Sequence, residues 1–512
     1  MPGLDQVLVQ EIDWANAVRN IVLDVRSDFI LSPHFDAIYN NCADQLIEKT
    51  TQALRSGSYQ PRLPITFSVP KGNFLTRPGS ILEPQDRLVH QALIEKALPR
   101  IEENMDRGRA FSHIPDGDNA LFKPSHEGWD AFQTRVRQIS DSSQFILRAD
   151  IANYFETIPQ HAVINLLSSS GVQREVVSLL EEQLLAFQQR TSTGIVQGIY
   201  PSDILGNFYL SDFDADCEMH DLPSARYVDD IFVGFADRGK ARSELVRLNA
   251  RLRGSGLYFN ASKTSILSRE EARFEESELE RLFDEARDEI HEHLSWLSES
   301  GYGFQGNWIT EGEAPSAEDI ELEATKNLLF RGGETDTQKE KIERFCLPVL
   351  RGADDPAAID LIFENFNERP QLTRLYASYL THFSRNSDDI AQRVTALITS
   401  DEFFCDYQRM YMIAAVLNRE DNTPGSVIKC QQWMESGQIG QETRALAAIY
   451  VAKFGSPQQK RAVRLRYENE PSEYVRSAIL YASQFFALAD KKTAKRAWGG
   501  HSTINAMISE AI

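Results

Sequence analysis

The chain has 512 residues, 42% of them hydrophobic and 25% charged, which predicts a folded protein of two or three domains rather than a disordered or fibrous one. Its formal net charge of −21 argues against strong, non-specific binding of duplex over a wide face, although a local basic cleft can operate inside an acidic whole. Five scattered cysteines (Cys42, Cys217, Cys346, Cys405, Cys430) without a CxxC point away from a disulfide framework or zinc site; acids in the first residues and no long apolar run point away from secretion and membranes, so a cytoplasmic location is expected.

Residues 1–60 read as helical, with apolar spacing in DAIYNNCADQLIEKTTQAL and a break at Ser56–Gly57–Ser58. A short β-like piece, ITFSVP, precedes a Gly/Arg/Pro loop and a helix, QDRLVHQALIEKAL. The run FILRADI is strand-like, and a helix is expected to begin near Pro159. SARYV and IFVGF flank Asp229–Asp230 and read as a hairpin with the acids at its turn. GKARSELVRLNARLRGSG is a further helix, ending on glycines. The pattern is mixed α/β to about residue 270.

Composition then shifts. Residues 271–300 hold eleven acids against three arginines on a helical background, and a Gly-rich stretch follows, so 271–319 is read as an acidic helix and linker. From 320 to 512 the chain reads as successive amphipathic helices (AAIDLIFENFN, LTRLYASYLTHF, DIAQRVTALI, TRALAAIYVAKF, EYVRSAILYASQFFAL) whose spacing suits an all-α, HEAT-like repeat domain.

The candidate chemistry rests on three carboxylates, Asp150, Asp229 and Asp230. Joining a nucleotide to a strand is an in-line displacement at phosphorus, served by two divalent ions about 3.5–4 Å apart. Mg²⁺ or Mn²⁺ in that role takes hard oxygen ligands, one or two of them carboxylates. Carboxylates on separate strands that converge repel one another, and cations relieve that repulsion. YVDD on its own is a weak signal, because exposed turn acids account for it equally.

Its companions are specific. VPKGNFLTRPGSILEPQDRLVHQAL, RADIANYFETI, GIVQGIYPSDILGNFYLSDFD, YVDD and GLYFNASKT occur in that order over residues 64–265, and together they resemble the fingers and palm blocks of prokaryotic reverse transcriptases. The resemblance implies an α/β fingers–palm domain over 61–270, of the right-hand polymerase type. It also implies a role for each residue. Asp150 and Asp229, with Ile151 beside them, resemble the metal ligands, and Asp230 orients the primer end and supports the metals. Lys71 and Arg77 resemble a triphosphate clamp, with Arg87 in the same block. Phe155 matches a steric gate against the ribose 2′-OH, which implies dNTP substrates. Gln197 and Gly198 belong to a loop that approaches the nucleotide. Ser202 and Asn207 fit the same block and serve equally as a cap and a packing contact. Lys263 fits a phosphate contact and a solvated loop equally well.

Val196 stands where the block has proline, and Ile199–Tyr200 replaces small residues. No thumb block and no second acidic constellation follow Lys263. A palm followed by helices resembles the abortive-infection reverse transcriptases of bacterial anti-phage defence, of the kind carried on P2-like prophages. That resemblance implies homo-oligomers and untemplated, protein-primed synthesis of single-stranded DNA, with Tyr39 and Tyr59 as candidate priming hydroxyls and an unidentified phage trigger. Two other readings are a reverse transcriptase copying a partner RNA, and a non-catalytic helical sensor that binds nucleotide.

Overall fold

A computed structural model describes residues 6–25, 28–116, 121–189, 191–273, 281–287, 317–422 and 424–512. Most of the acidic segment and linker read over 271–319 lies outside the described residues. By contact the chain divides into two units: Met1–Ser68 with Pro78–Arg273 and Arg464–Ile512, and Val69–Arg77 with Phe274–Val463. No described helix is long and apolar enough to cross a membrane.

Unit 1 opens with the helices Gln6–Glu11, Trp14–Asp24, Pro33–Asn41 and Ala43–Ser56. The last of these stops at Gly57, whose φ of +68° permits the left-handed cap that a side chain would disfavour. The long helix Pro84–Glu102 is buried on most of its circumference, which is why its sequence shows little amphipathic contrast. Helices from Arg464 onward belong to the same unit as the N-terminal ones. Tyr474 stacks edge-on against Phe35, and the Ser32 and Tyr474 hydroxyls are 2.7 Å apart.

Six strands are described. β1 (Ile65–Pro70) and β2 (Thr76–Ile81) form a two-stranded sheet, while β3 (Phe145–Ala149), β4 (Ser224–Tyr227), β5 (Asp230–Phe235) and β6 (Ser265–Ser268) form a second in the order β4–β5–β3–β6. β2 occupies what the sequence suggests is a Gly/Arg/Pro loop. An edge strand tolerates Pro78, because the missing N–H faces no ladder partner. β3 is central and antiparallel to both neighbours, with Ala149 opposite Ile231 and Leu147 opposite Ile266. Its inner residues Ile146 and Leu147 are fully buried. Helices Ser125–Ser142 and Arg238–Gly254 pack on this sheet, the former through Phe132, Val136 and Ile139. The helix expected near Pro159 runs Gln160–Ser169 with Pro159 as its N-cap, and a one-turn helix, Tyr154–Thr157, precedes it.

Unit 2 is mostly helical, from Ala317–Arg331 through Asp336–Gly352, Thr373–Ser384, Asp388–Ser400, Asp406–Leu417 and Pro424–Glu435 to Gln441–Phe454. The Asp336–Gly352 helix starts with a full capping box between Thr335 and Gln338. The helix Gln441–Phe454 is buried nearly all round, packed between Pro424–Glu435 and Asp406–Leu417.

Candidate active site

The sheet register places the carboxylates. β4 and β5 pair up to Tyr227 opposite Asp230, which leaves Val228 and Asp229 as a two-residue turn. Extending the β3–β5 register one step past Ala149 and Ile231 sets Asp150 opposite Asp230. Two local chain segments thus deliver three acids to one end of the sheet.

The turn is held under strain. Val228 has φ +56°, a region that β-branched residues avoid at a cost of about 1–3 kcal/mol. A buried network stabilises it. The Val228 N–H donates to Ser112 Oγ at 3.1 Å. Two residues before Val228, Arg226 is 1% exposed. Its guanidinium donates to both Asp214 oxygens and to the side chain and carbonyl of Asn207. Asn207 in turn donates to the Ser112 carbonyl at 2.7 Å. So Asn207 is a structural anchor and not a helix cap. Arg226, Asp214 and Ser112 were missed by the sequence reading; the only signal was a charged residue inside an otherwise apolar strand.

On the other flank of Asp150 lies the segment Leu257–Thr264. The Asn260 N–H donates to the Asp150 carbonyl at 2.7 Å and Ala152 N–H to Tyr258 at 2.8 Å, which brackets an antiparallel bridge between Ile151 and Phe259. In such a pair the middle residue's own N–H and C=O face away from the partner segment, here to the side of β3 where β5 lies. Asn260 also donates its side-chain amide to Asp150 Oδ2 at 3.0 Å, and Lys263 Nζ lies 2.8 Å from Asp150 Oδ1.

The acids feel one another. Burial first, then the negative charges of Asp150 and Asp230, push the Asp229 carboxyl up to about 6, against the pull of Lys263. Burial and Asp150 likewise raise Asp230, opposed by Lys263 and Arg148. Burial works against the charge of Lys263, but Asp150, Asp230 and Asp229 outweigh it and raise its ammonium above the ordinary range. Among the described residues no three His, Cys, Asp or Glu groups form a ready-made metal cage. Mg²⁺ does not need one, since one or two carboxylates plus substrate phosphates and water complete its shell. An excess of converging carboxylates, with one lysine between them, fits such ions. Asp150, Asp229 and the Ile151 carbonyl would hold them, and bound ions would supply activation of the attacking hydroxyl and charge on the triphosphate.

Phe155 is half-buried beside the loop that carries Gln197 and Gly198: its carbonyl accepts the Ile195 N–H at 2.8 Å. Its ring borders Gly206, where a Cβ would lie 3.0 Å from Phe155 Cε1, so glycine there lets the ring pack closely. Gly198 has φ +91°, and a Cβ would meet the Phe29 ring at 2.6 Å. The unusual Val196 and Ile199 are buried with Leu82 and Phe187, so their bulk fills core. Ser202 is fully buried and its hydroxyl has no partner among the described residues.

The expectations for Arg87 and for the two candidate priming tyrosines are corrected. Arg87 is buried, with its guanidinium on Asp24 at 2.9 Å and Asp28 at 2.5 Å, so it serves the N-terminal helices and not a ligand. Tyr39 and Tyr59 are 3% and 5% exposed. Tyr59 donates to Asp86 at 2.7 Å, and burial raises both phenols, so neither hydroxyl is open to receive a nucleotide in this structure. Lys71 and Arg77 belong to unit 2. Lys71 is exposed and precedes a turn, Gly72–Phe74, in which Asn73 and Phe74 both have positive φ. There Phe74 meets Phe404 edge-on at 5.6 Å, and the charge of Arg77 reaches Tyr407.

Residues 69–291 match the family of reverse transcriptases (RNA-dependent DNA polymerases). Curated proteins give no match. Among solved structures, telomerase from Candida albicans with a fragment of telomeric RNA is 11% identical at TM-score 0.32, over 71% of this chain and 67% of that one. Telomerase from Candida tropicalis with the same type of RNA fragment is 10% identical at TM-score 0.32, over 72% and 64%. The apo Candida tropicalis telomerase is 10% identical at TM-score 0.31, over 91% and 73%. Likeness at that level supports no inference about what this chain binds.

Proposed function

With residues 69–291 a reverse transcriptase domain, we propose that the chain is a DNA polymerase of abortive infection against phage, adding dNTPs by two-metal nucleotidyl transfer without a template and from a protein hydroxyl. The polymerase part is carried by the meeting of Asp150 with the Asp229–Asp230 turn, where burial and like charge raise the Asp229 carboxyl to about 6. Acids so placed are costly to a fold and useful to phosphoryl chemistry.

In this reading Asp150, Asp229 and the Ile151 carbonyl bind Mg²⁺ or Mn²⁺, and Asp230 steadies the primer end. Lys71 and Arg77 clamp the triphosphate, the arginine by its fork and the lysine as a point charge. Phe155 rejects the ribose 2′-OH, Gln197 and Gly198 lie along the incoming nucleotide, and Lys263 offers its charge to phosphate. The defence role, the HEAT-like character of the helices, the homo-oligomer and the single-stranded DNA product are supported by the order of motif blocks, the helices that follow the palm and the acidic charge. Because Tyr39 and Tyr59 are buried, a protein primer is to be sought among other hydroxyls.

The test is label incorporation from dNTPs by purified full-length protein with Mg²⁺ or Mn²⁺, with and without template and primer, beside Asp229→Ala. Product formed without template that migrates with protein until proteolysis supports the whole reading. Product only with added RNA template favours a partner-RNA enzyme. No difference between wild type and Asp229→Ala defeats the polymerase reading.

A further inference from the structure

The helix Arg238–Gly254, RGKARSELVRLNARLRG, holds Arg238, Lys240, Arg242, Arg247, Arg251 and Arg253 against one acid, Glu244, in a chain of net charge −21. Two of the cations are neutralised nearby: Arg247 pairs with Asp216 and Glu244 at 2.6 Å each, and Arg251 reaches Asp212 at 3.5 Å. Arg238, Lys240, Arg242 and Arg253 are exposed and have no ion pair among the described residues, although Glu271 feels the charge of Arg238.

Their placement is ordered. At about 100° per residue, Arg238, Arg242 and Arg253 fall within roughly 60° of one another, along one border of the buried arc of Ala241, Leu248 and Leu252. Fifteen steps of 1.5 Å make the stripe about 22 Å long, over which a nucleic acid strand presents several phosphates. The helix then runs through Ser255 and Gly256 into Leu257–Thr264, the segment bonded to Asp150 and Ala152. Tyr258 in that segment is 53% exposed, the kind of ring on which a base stacks. Guanidinium forks suit phosphate, and an aromatic platform suits bases more than it suits an acidic protein.

We infer that the exposed stripe Arg238–Arg242–Arg253, with Tyr258 beyond its C-terminal end, is a docking track for a single nucleic acid strand. It deepens the polymerase reading by giving the strand a path, and binding is measured without chemistry, so the two fail separately.

The experiment is fluorescence anisotropy of a labelled oligothymidylate with the full chain, without dNTPs, from about 0.05 to 0.3 M salt. The triple variant Arg238→Gln/Arg242→Gln/Arg253→Gln should bind roughly tenfold or more weakly at 0.1 M salt, and the slope of log affinity on log salt should fall by about 2. Lys240→Gln, off the stripe, should change either value far less. Tyr258→Ala should weaken binding by about fivefold or more without changing the slope. Wild-type affinity and slope in the triple variant, or no binding by the wild type, would overturn the inference. Displacement of the strand by polyglutamate as readily as by unlabelled oligonucleotide would overturn it in favour of an acidic protein partner.

Discussion

Lys263 Nζ lies 2.8 Å from Asp150 Oδ1, although the two residues come from separate motif blocks. The ammonium is the counter-charge of the carboxylate cluster, and it lowers both Asp229 and Asp230. Lys263→Met should therefore cut nucleotide incorporation by about tenfold, a change of about 1.4 kcal/mol in barrier. Lys263→Arg should keep more of it, since the charge is retained. Equal rates for Met and wild type in a label-incorporation assay would remove Lys263 from the site.

Asp229→Asn tests the repulsion directly. A carboxyl raised to about 6 holds its proton in the folded state where the unfolded chain has lost it, so this group's contribution to stability falls as pH rises from about 4 to 6 and stays low above. Without divalent ions, the amide should melt at a higher temperature than wild type at pH 7.5, while incorporation is abolished. The gain should shrink toward pH 4. A variant that melts below wild type at pH 7.5 in the presence of chelator would refute the account.

The Arg226–Asp214 pair is predicted to anchor the Val228–Asp229 turn. Both side chains are buried, and burial pushes the Asp214 carboxyl up even against the arginine beside it. Asp214→Ala leaves a buried guanidinium uncompensated and should cost about 3–5 kcal/mol in denaturant unfolding. Asp214→Asn keeps the shape and should cost less. A loss below about 1 kcal/mol for the alanine would show that the network does not hold the turn.

His34 carries a pH dependence of its own. It is fully buried between Phe35 and Tyr474, with ring centroids 4.6 Å from each, and neither ring nitrogen has a partner among the described residues. Burial lowers its imidazole from 6.5 to about 3. Stability from this neutral ring is fully present above 6.5 and is lost as pH falls toward 3. His34→Phe should be at least as stable at pH 7, and should gain on wild type by about 1.4 kcal/mol for each pH unit below 6. Denaturant unfolding at pH 7 and pH 5 reads this; a constant difference would show that another group titrates.

Much of the end of the sheet that carries the three acids was legible in local sequence, for a local reason. Alternating apolar runs around Asp150 and around Asp229–Asp230 fix strands and announce a hairpin from neighbours in the chain, although its turn falls on Val228–Asp229, one residue earlier than SARYV and IFVGF suggest. The N-terminal helices and the helices after residue 320 follow from apolar spacing in the same way. The β2 strand did not, since Thr76–Ile81 has the composition of a loop and is a strand only because a partner strand pairs with it.

Sequence by itself determined that this protein carries three acids at the ends of strands, within motif blocks ordered like those of reverse transcriptases, because motif order and periodicity are written along the chain. Tertiary structure alone decided their surroundings. Asp214, Asn207 and Ser112 meet at the Val228 turn from segments 12 to 116 residues apart. Lys263 reaches Asp150 from 113 residues away. Tyr39, Tyr59 and Arg87 are closed off by burial and pairing that no local pattern shows. Burial, charge and hydrogen bonding depend on what the folded chain brings near, and those are the terms that set the Asp229 carboxyl.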